Sequence, residues 1–213
     1  FSATMTDEVD AVLNDFFDFP EEVSLAASGT PLENITQFAY AVPNFNTKIN
    51  LLKQLLEENE DMSRVLIFVN NKKISDMLHE SIDEAFEGQF GVIHSNKSQN
   101  YRLNTMATFQ EGNLRGIITT DIMARGLDIS DITHVINFEM PEMPELYMHR
   151  IGRTGRADAT GTAISFYTPR EEEFKLEAEV LMNTEIQNIP FPESVEISLK
   201  LIGPEKDKQP IKF

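Results

Sequence analysis

Residues 65–94, V-L-I-F-V-N-N-K-K-I-S-D-M-L-H-E-S-I-D-E-A-F-E-G-Q-F-G-V-I-H, contain one complete repeat of the pattern that decides the fold. Two short apolar runs, residues 65–69 and 90–94, flank a stretch in which apolar residues recur at helical spacing from Ile74 to Phe86. Short apolar runs are typical of strands buried on both faces, whereas a 3.6-residue period is typical of an amphipathic helix. The stretch therefore predicts a strand, a covering helix and a second strand.

The same alternation continues on both sides of this repeat. Strand-like runs cover residues 35–42, 65–69, 90–94, 116–120, 134–138 and 162–167. The predicted helical faces are Ile49, Leu52, Leu55 and Leu56; Ile74, Met77, Leu78, Ile82 and Phe86; and Leu103, Met106, Ala107 and Gln110 with Phe109 beside them. A later helix, over residues 171–182, is predicted to bury Phe174, Leu176, Val180 and Leu181. Such alternation predicts an α/β fold with a mostly parallel sheet and helices on both faces.

Composition limits the classes of function. The 213 residues suit one large domain, or a domain with a fragment of another. The sequence has no apolar run of membrane-spanning length and no signal-peptide pattern, so we expect a cytoplasmic protein without a membrane partner. The absence of cysteine excludes disulfides, thiol catalysis and thiolate metal sites, and four scattered histidines have no metal-ligand spacing. We therefore expect no metal site formed by this chain alone.

The charge distribution is more informative than the net charge. A formal charge of −17 argues against a nucleic-acid partner at first sight. However, six of the eight arginines fall within residues 102–156: Arg102, Arg115, Arg125, Arg150, Arg153 and Arg156. An acidic shell with one basic face is compatible with an RNA or nucleotide partner.

The densest part of this window is H-R-I-G-R-T-G-R, residues 149–156. If a helical turn ends at Gly152, the next two arginines, Arg153 and Arg156, lie on a short glycine-containing segment and can converge on one anion. Guanidinium groups suit that role because each presents a planar fork of donors to phosphate oxygens. A solvated basic loop is the alternative interpretation of the same spacing.

Polar stretches follow the predicted strands. They are residues 70–73; residues 94–99 with Arg102 behind them; residues 119–121 with 125–128 behind them; and the arginine segment. Each stretch alone is equally typical of helix caps and turns. Because ligands gather at the carboxyl ends of strands in open α/β sheets, all four together predict a phosphate-binding edge.

Four motifs resemble those of the DEAD-box RNA helicases in both order and spacing. They are S-A-T at residues 2–4, Gln99-x-x-Arg102, T-T-D-I-M-A-R-G-L-D-I from Thr119, and H-R-I-G-R-T-G-R. The resemblance covers residues 1–192 and is strongest to the bacterial RhlE-like group, through H-S-N-K-S-Q and A-T-G-T-A-I-S-F. It implies a RecA-like fold and a motor of two lobes that binds ATP and RNA in the cleft between them.

The same resemblance implies a division of the chain. Residues 1–26 correspond to the last strand, helix and strand of a first lobe, 27–33 to a linker, 34–202 to the second lobe and 203–213 to a tail. The phosphate-cradling loop and the D-E-A-D motif of the first lobe are absent from this sequence. ATP with Mg²⁺ is therefore expected to be held mainly by the missing N-terminal lobe, which becomes an expected partner together with single-stranded or duplex RNA.

Residue roles are also implied by the resemblance. Asp128 and Gly126 are expected to bind the nucleotide, with Asp128 at the ribose, while Arg153 and Arg156 reach the γ-phosphate as catalytic arginines. The implied RNA-binding residues are His94, Ser95, Gln99, Arg102 and Thr120. The implied interdomain coupling residues are His149, Ser2 and Thr4. Ser95 departs from the glycine usual in the family, and Asn71 from the common threonine, so Asn71 receives no role.

Two functional hypotheses follow. The first is the arginine-bearing half of an ATP-dependent RNA helicase that unwinds duplexes or remodels ribonucleoproteins, inactive as this fragment alone. The second is a RecA-like lobe without catalysis that docks RNA or protein. The intact arginine pair and Asp128 favour the first.

Overall fold

The computed structural model describes residues 32–121, 131–155 and 159–206. Its strands are β1 (Ile35–Ala41), β2 (Val65–Phe68), β3 (Phe90–Ile93), β4 (Gly116–Thr119), β5 (His134–Asn137), β6 (Gly161–Tyr167) and β7 (Gln187–Asn188). Its helices are α1 (Phe45–Glu58), α2 (Lys72–Asp83), α3 (Gln99–Gln110), α4 (Pro144–Ile151), α5 (Glu172–Met182) and the short α6 (Gly203–Lys206). The predicted first-lobe segment 1–26, including Ser2 and Thr4, lies outside the described residues, as do Arg125, Gly126, Asp128 and Arg156.

The strands form one sheet in the order β3-β4-β2-β5-β6-β1-β7, and every pairing among them is parallel. The six predicted strands are all present, and the short edge strand β7 is an addition. After β4 the chain crosses β2 to form β5 on its far side, so the strand order reverses at β2. Ligand crevices in open α/β sheets form at such a reversal, outside the carboxyl ends of the strands.

Helices cover both faces of the sheet, as predicted. Along β2, Val65 and Ile67 pack into the cluster that contains α1 and α2, whereas Leu66 and Phe68 pack into the cluster that contains Phe109 of α3. The remaining face, beside β1 and β6, is covered by α4 and α5. No helix in the described part of the chain is long and apolar enough to cross a membrane.

The predicted buried face of α3 is wrong, because it is shifted by one position along the helix from the face that is buried. Leu103 is 59% exposed, and Ala107 and Gln110 are also exposed. The buried residues are Thr105 and Phe109, with Met106 half-buried beside them. Both faces satisfy helical spacing, and the ring of Phe109, stacked under the Arg64 guanidinium at 4.4 Å, sets the rotation of the helix.

The prediction for α5 is wrong for three of its four apolar residues. Leu176, Val180 and Leu181 are exposed, Val180 by 81%. The buried positions are instead Lys175 and Ala178. Lys175 can be buried because its ammonium bonds the Glu179 carboxylate at 2.6 Å while its methylene stem packs inside. An apolar pattern cannot anticipate a lysine on the inner face of a helix.

One buried side chain, Arg150 of α4, joins the carboxyl ends of three neighbouring strands, β4, β2 and β5. Its guanidinium is 1% exposed and forms a two-point bond with Asp121 after β4, Nε to Oδ1 at 2.6 Å and Nη2 to Oδ2 at 2.8 Å. It also donates to Asn70 Oδ1 after β2 at 2.9 Å and to the Glu139 carbonyl after β5 at 2.7 Å. The guanidinium lies over the Phe68 ring, 5.1 Å from its centroid. Arg150 is therefore a structural centre and not part of an exposed basic face.

A second buried ion pair holds the neighbouring strand ends. Lys48 of α1 bonds the Glu171 carboxylate at 2.6 Å and the Phe166 carbonyl at 3.1 Å. Glu171 in turn accepts the backbone N–H groups of Met140 and Thr168. Much of the polar chemistry at this edge of the sheet therefore stabilises the fold.

We predict that Arg150→Met lowers the free energy of unfolding by about 3–5 kcal/mol, since it removes a buried guanidinium and leaves Asp121 as a half-buried, uncompensated carboxylate. The loss of unfolding free energy in Arg150→Lys should lie between those of the unmodified chain and Arg150→Met, because an ammonium keeps the charge but cannot form the two-point bond. In the double variant Arg150→Met/Asp121→Asn the loss should be smaller than the sum of the two single losses. Urea denaturation monitored by circular dichroism measures each value.

Lys73→Ala is the matched control, because Lys73 is an exposed cation at the start of α2. Its effect on the free energy of unfolding should stay within about 0.5 kcal/mol. A loss below about 1 kcal/mol in Arg150→Met, the mean for an unremarkable substitution, would contradict the central role of the guanidinium.

Candidate functional site

The polar stretches predicted to meet at one edge do meet there. Backbone bonds continue the sheet past its formal ends: Val69 N–H donates to the Thr119 carbonyl at 3.1 Å and Phe138 N–H to Phe68 at 3.0 Å. Beyond them, Asn70 N–H donates to Glu139 Oε2 at 2.8 Å. Hydrogen bonds thus link the segments at the carboxyl ends of β2, β4 and β5 to one another.

The stretch after β3 joins the same edge through α2. Lys72 Nζ donates to Asn96 Oδ1 at 2.9 Å. Asn71 caps α2 by accepting the Ile74 N–H, and Ser98 caps α3 by accepting the Tyr101 N–H. The cap interpretation of Ser98 is therefore correct, whereas Asn71, interpreted as part of a turn, is a helix cap as well, and the helices they start point their N–H groups toward the edge.

The predicted RNA-binding residues differ in accessibility. Ser95 and Gln99 are exposed, and Arg102 is half-buried on the inner side of α3. Thr120 is almost buried, at the end of a central strand. His94 is 2% exposed, with Nε2 3.0 Å from Asp76 Oδ1, so its imidazole contacts protein and is closed to a ligand. If this stretch binds a phosphate backbone, it does so through Ser95, Gln99 and main-chain groups.

Glu139 is a half-buried carboxylate that the sequence patterns did not mark. Burial raises the pKa of Glu139, although the Asn70 N–H bond and the charges of Lys48 and Arg150 oppose the shift. The carboxylate holds the main chain of Asn70, whose side chain bonds the Met140 carbonyl. Its only sequence signal was its position directly after an apolar strand.

The arginine segment begins as predicted. Helix α4 ends at Gly152, and Arg153 N–H donates to the Arg150 carbonyl at 3.1 Å. Thr154 then pairs with Ile132 in a parallel bridge, and Gly155 has φ +65°, a conformation that favours glycine. Arg153 and His149 are half-buried at this end of α4, and the neighbouring Thr154 donates its hydroxyl to the carbonyls of Ile132 and Thr133, which directly precede β5.

The basic face is smaller than the arginine window suggested. Arg150 is buried, and Arg115 lies at the opposite end of β4, where it donates to the carbonyls of Leu56, Asn59 and Met62. Among the described arginines of that window, Arg102 and Arg153 remain, and both are half-buried. Within the described ranges no cluster of three or more histidine, aspartate or glutamate side chains has the geometry of a metal site.

Comparison with known proteins gives the family. Residues 47–158 match the model of the helicase conserved C-terminal domain. The chain is 41% identical over 174 residues to the DEAD-box ATP-dependent RNA helicase CshA of Geobacillus kaustophilus, which covers 80% of this chain and 36% of that protein. It thus spans about a third of the length of the curated relatives it matches.

Solved structures support the same assignment. Dbp5 of S. cerevisiae bound to RNA and ADP BeF3 superposes with a TM-score of 0.78 at 26% identity, over 89% of this chain and 50% of that one. The Mss116p DEAD-box helicase domain 2 bound to an RNA duplex superposes with a TM-score of 0.67 at 25% identity, over 76% and 66%. The narrower RhlE-like grouping stays a prediction.

The family model, the sequence identity to relatives and the superposition on solved structures agree. The chain therefore belongs to the family of helicase conserved C-terminal domains, in the RecA-like form found in DEAD-box RNA helicases.

Proposed function

We propose that this chain is the second lobe of an RNA-stimulated ATPase that couples ATP hydrolysis to RNA duplex unwinding or ribonucleoprotein remodelling. The observation that supports this best is the carboxyl edge of the sheet. The ends of β3, β4, β2 and β5 lie side by side there, and the guanidinium of Arg150 from α4 reaches the residues that follow β4, β2 and β5. The relatives are ATP-dependent RNA helicases, and two solved neighbours carry RNA.

In this proposal the missing N-terminal lobe holds most of the nucleotide and Mg²⁺, whereas the second lobe, formed by this chain, supplies the arginines. Phosphoryl transfer depends on positioning and on stabilising the charge that spreads over the equatorial oxygens. Arg153 and Arg156 stabilise that negative charge with their guanidinium groups when the lobes close, and Asp128 and Gly126 bind the nucleotide. The buried Arg150–Asp121 bond supports the role of Arg153, because it fixes the helix end from which Arg153 extends.

The RNA surface is proposed at the carboxyl ends of β3 and β4. Ser95 and Gln99 are exposed, Arg102 lies one turn into α3, and Thr120 ends the adjacent strand. Contacts of this kind position a phosphate backbone and do not read base sequence. His149, near Arg153, is proposed to transmit lobe closure to Ser2 and Thr4.

The 213-residue chain alone should not hydrolyse ATP, because the groups expected to position the phosphates and Mg²⁺ belong to the missing lobe. Phosphate release with saturating RNA should equal the rate without protein, while addition of the separate first lobe restores a small activity. RNA-stimulated turnover by the chain alone would contradict the division of labour proposed here.

Arg102→Ala and Thr120→Val should weaken RNA binding by the full-length protein with unchanged base preference. Loss of the one cation should reduce the slope of log affinity against log salt by about 0.7 for single-stranded RNA, with no change of slope in Thr120→Val. Fluorescence anisotropy across a salt series measures both. Lys53→Ala, which removes a cation from the middle of α1, is the matched control. An unaltered slope in Arg102→Ala would exclude it from the RNA surface.

Arg156→Lys in the full-length protein should lower turnover at least about 10²-fold, since an ammonium offers no planar fork to the equatorial oxygens. Arg153→Lys should act in the same direction. ATP affinity of the RNA-free enzyme should change far less, because the first lobe is expected to hold the adenine and the other phosphates.

Steady-state kinetics with a thermal melt separate this effect from a loss of folding. Arg170→Lys, the same chemical change at an exposed arginine before α5, should leave turnover near wild type. Near-normal turnover in both Arg153→Lys and Arg156→Lys would instead favour a lobe that docks RNA or protein without catalysis.

A further inference from the structure

Two side chains of α2 hold the loop of residues 94–97, the His94 loop, from one side. Lys72 Nζ donates to Asn96 Oδ1 at 2.9 Å. Asp76 Oδ1 lies 3.0 Å from His94 Nε2 and 2.9 Å from Lys97 Nζ. Lys72 and Asp76 are four residues apart and therefore share one face of the helix. Neither side chain belongs to the motifs that carry the proposed RNA contacts.

The imidazole of His94 connects this helix face to the main chain of the loop. His94 Nδ1 accepts the Asn96 N–H at 3.3 Å, so the ring proton resides on Nε2 and is donated to Asp76. The Lys97 N–H closes the turn on the His94 carbonyl at 3.0 Å. The ring is 2% exposed, so its orientation is set by these two bonds and by packing.

The loop determines where the next polar groups are placed. It presents Ser95 at the surface and leads directly into Ser98, the cap of α3, and then to Gln99 and Arg102. A phosphate backbone is bound by main-chain and side-chain donors only if they are held at hydrogen-bonding geometry. A change in the His94 ring would shift all of these groups together.

We infer that Asp76 is a positioning residue for RNA binding: it holds His94 in the Nε2–H tautomer, and the imidazole then fixes the His94 loop in the shape that contacts the phosphate backbone. This inference rests on the proposed function for the identity of the ligand. Lys72 and Lys97 act as the second and third attachments of the same loop.

The negative charge of Asp76 makes the inference testable, because an electrostatic role and a positioning role predict opposite changes in RNA affinity when Asp76 is removed. Burial opposes ionisation of Asp76, but hydrogen bonds from His94 and Lys97, together with the charge of Lys97, bring its pKa below the ordinary range. Asp76 is therefore an anion beside a surface proposed to bind a polyanion. If it acted only through its charge, its removal would strengthen RNA binding. A positioning role requires the opposite result.

The test uses the 213-residue chain and a fluorescein-labelled short RNA duplex, with Asp76→Ala and Asp76→Asn compared with Glu80→Gln. Glu80 is an exposed acid one turn further along α2, so its variant makes the same charge change away from the loop. We expect Asp76→Ala to weaken binding about 3- to 10-fold, the range for loss of one or two hydrogen bonds. Asp76→Asn keeps an oxygen acceptor for His94 and should lose less, while Glu80→Gln should bind as the unmodified chain does or more tightly.

Nitrogen-15 spectra of the His94 ring supply a readout that a general loss of stability would not alter. The unmodified chain should show the Nε2–H tautomer, Asp76→Asn should retain it, and Asp76→Ala should show a mixture of tautomers. A thermal melt accompanies each variant, and Asp76→Asn keeps the test informative if Asp76→Ala fails to fold.

Equal or tighter RNA binding by a folded Asp76→Ala variant would overturn the inference, as would an Nδ1–H tautomer in the unmodified chain. Failure of the unmodified chain to bind the duplex would overturn the proposed RNA surface instead. In that case the tautomer spectra would still decide whether Asp76 orients His94.

Discussion

The two-point bond between Arg150 and Asp121 is the interaction on which the arrangement of this domain depends. The carboxyl ends of β4, β2 and β5 lie side by side, because these three strands are neighbours in the sheet. Arg150 satisfies Asp121, Asn70 and the Glu139 carbonyl at once, which a lysine or an apolar residue could not do. The bond therefore brings the ends of β2, β4 and β5 to the end of α4.

Structural and proposed functional roles alternate along the arginine segment. Arg150 turns into the sheet, while Arg153 follows the end of α4 after a glycine, so an internal ion pair supports a neighbouring arginine at the surface. The His94 loop repeats this organisation with a different buried group, since an inaccessible imidazole supports exposed neighbours. In both places a buried charged or polar residue determines the position of the one that can meet a ligand.

The overall acidity of the chain fits this organisation. Only part of its basic side chains is available at the carboxyl edge, because Arg150, Arg115, Lys48 and Lys175 bond carboxylates or carbonyls of the fold. A small basic area on an acidic domain attracts RNA weakly through long-range charge. Accurate placement of a few donors then matters more for binding than the number of cations, which is where the His94 loop contributes.

The amino-acid pattern was enough to predict the α/β class, six of the seven strands in the described part of the chain and the edge at which the polar stretches meet, because strand burial and helical spacing are local patterns. It did not determine which faces of α3 and α5 are buried, since Leu103 and Val180 satisfy the same period as the residues that pack inside. It also could not show that Arg150 and His94 are buried while Ser95 is exposed. Burial of a charged or polar side chain depends on partners such as Asp121 and Asp76, which lie 29 and 18 residues away and are brought close only when parallel strands align.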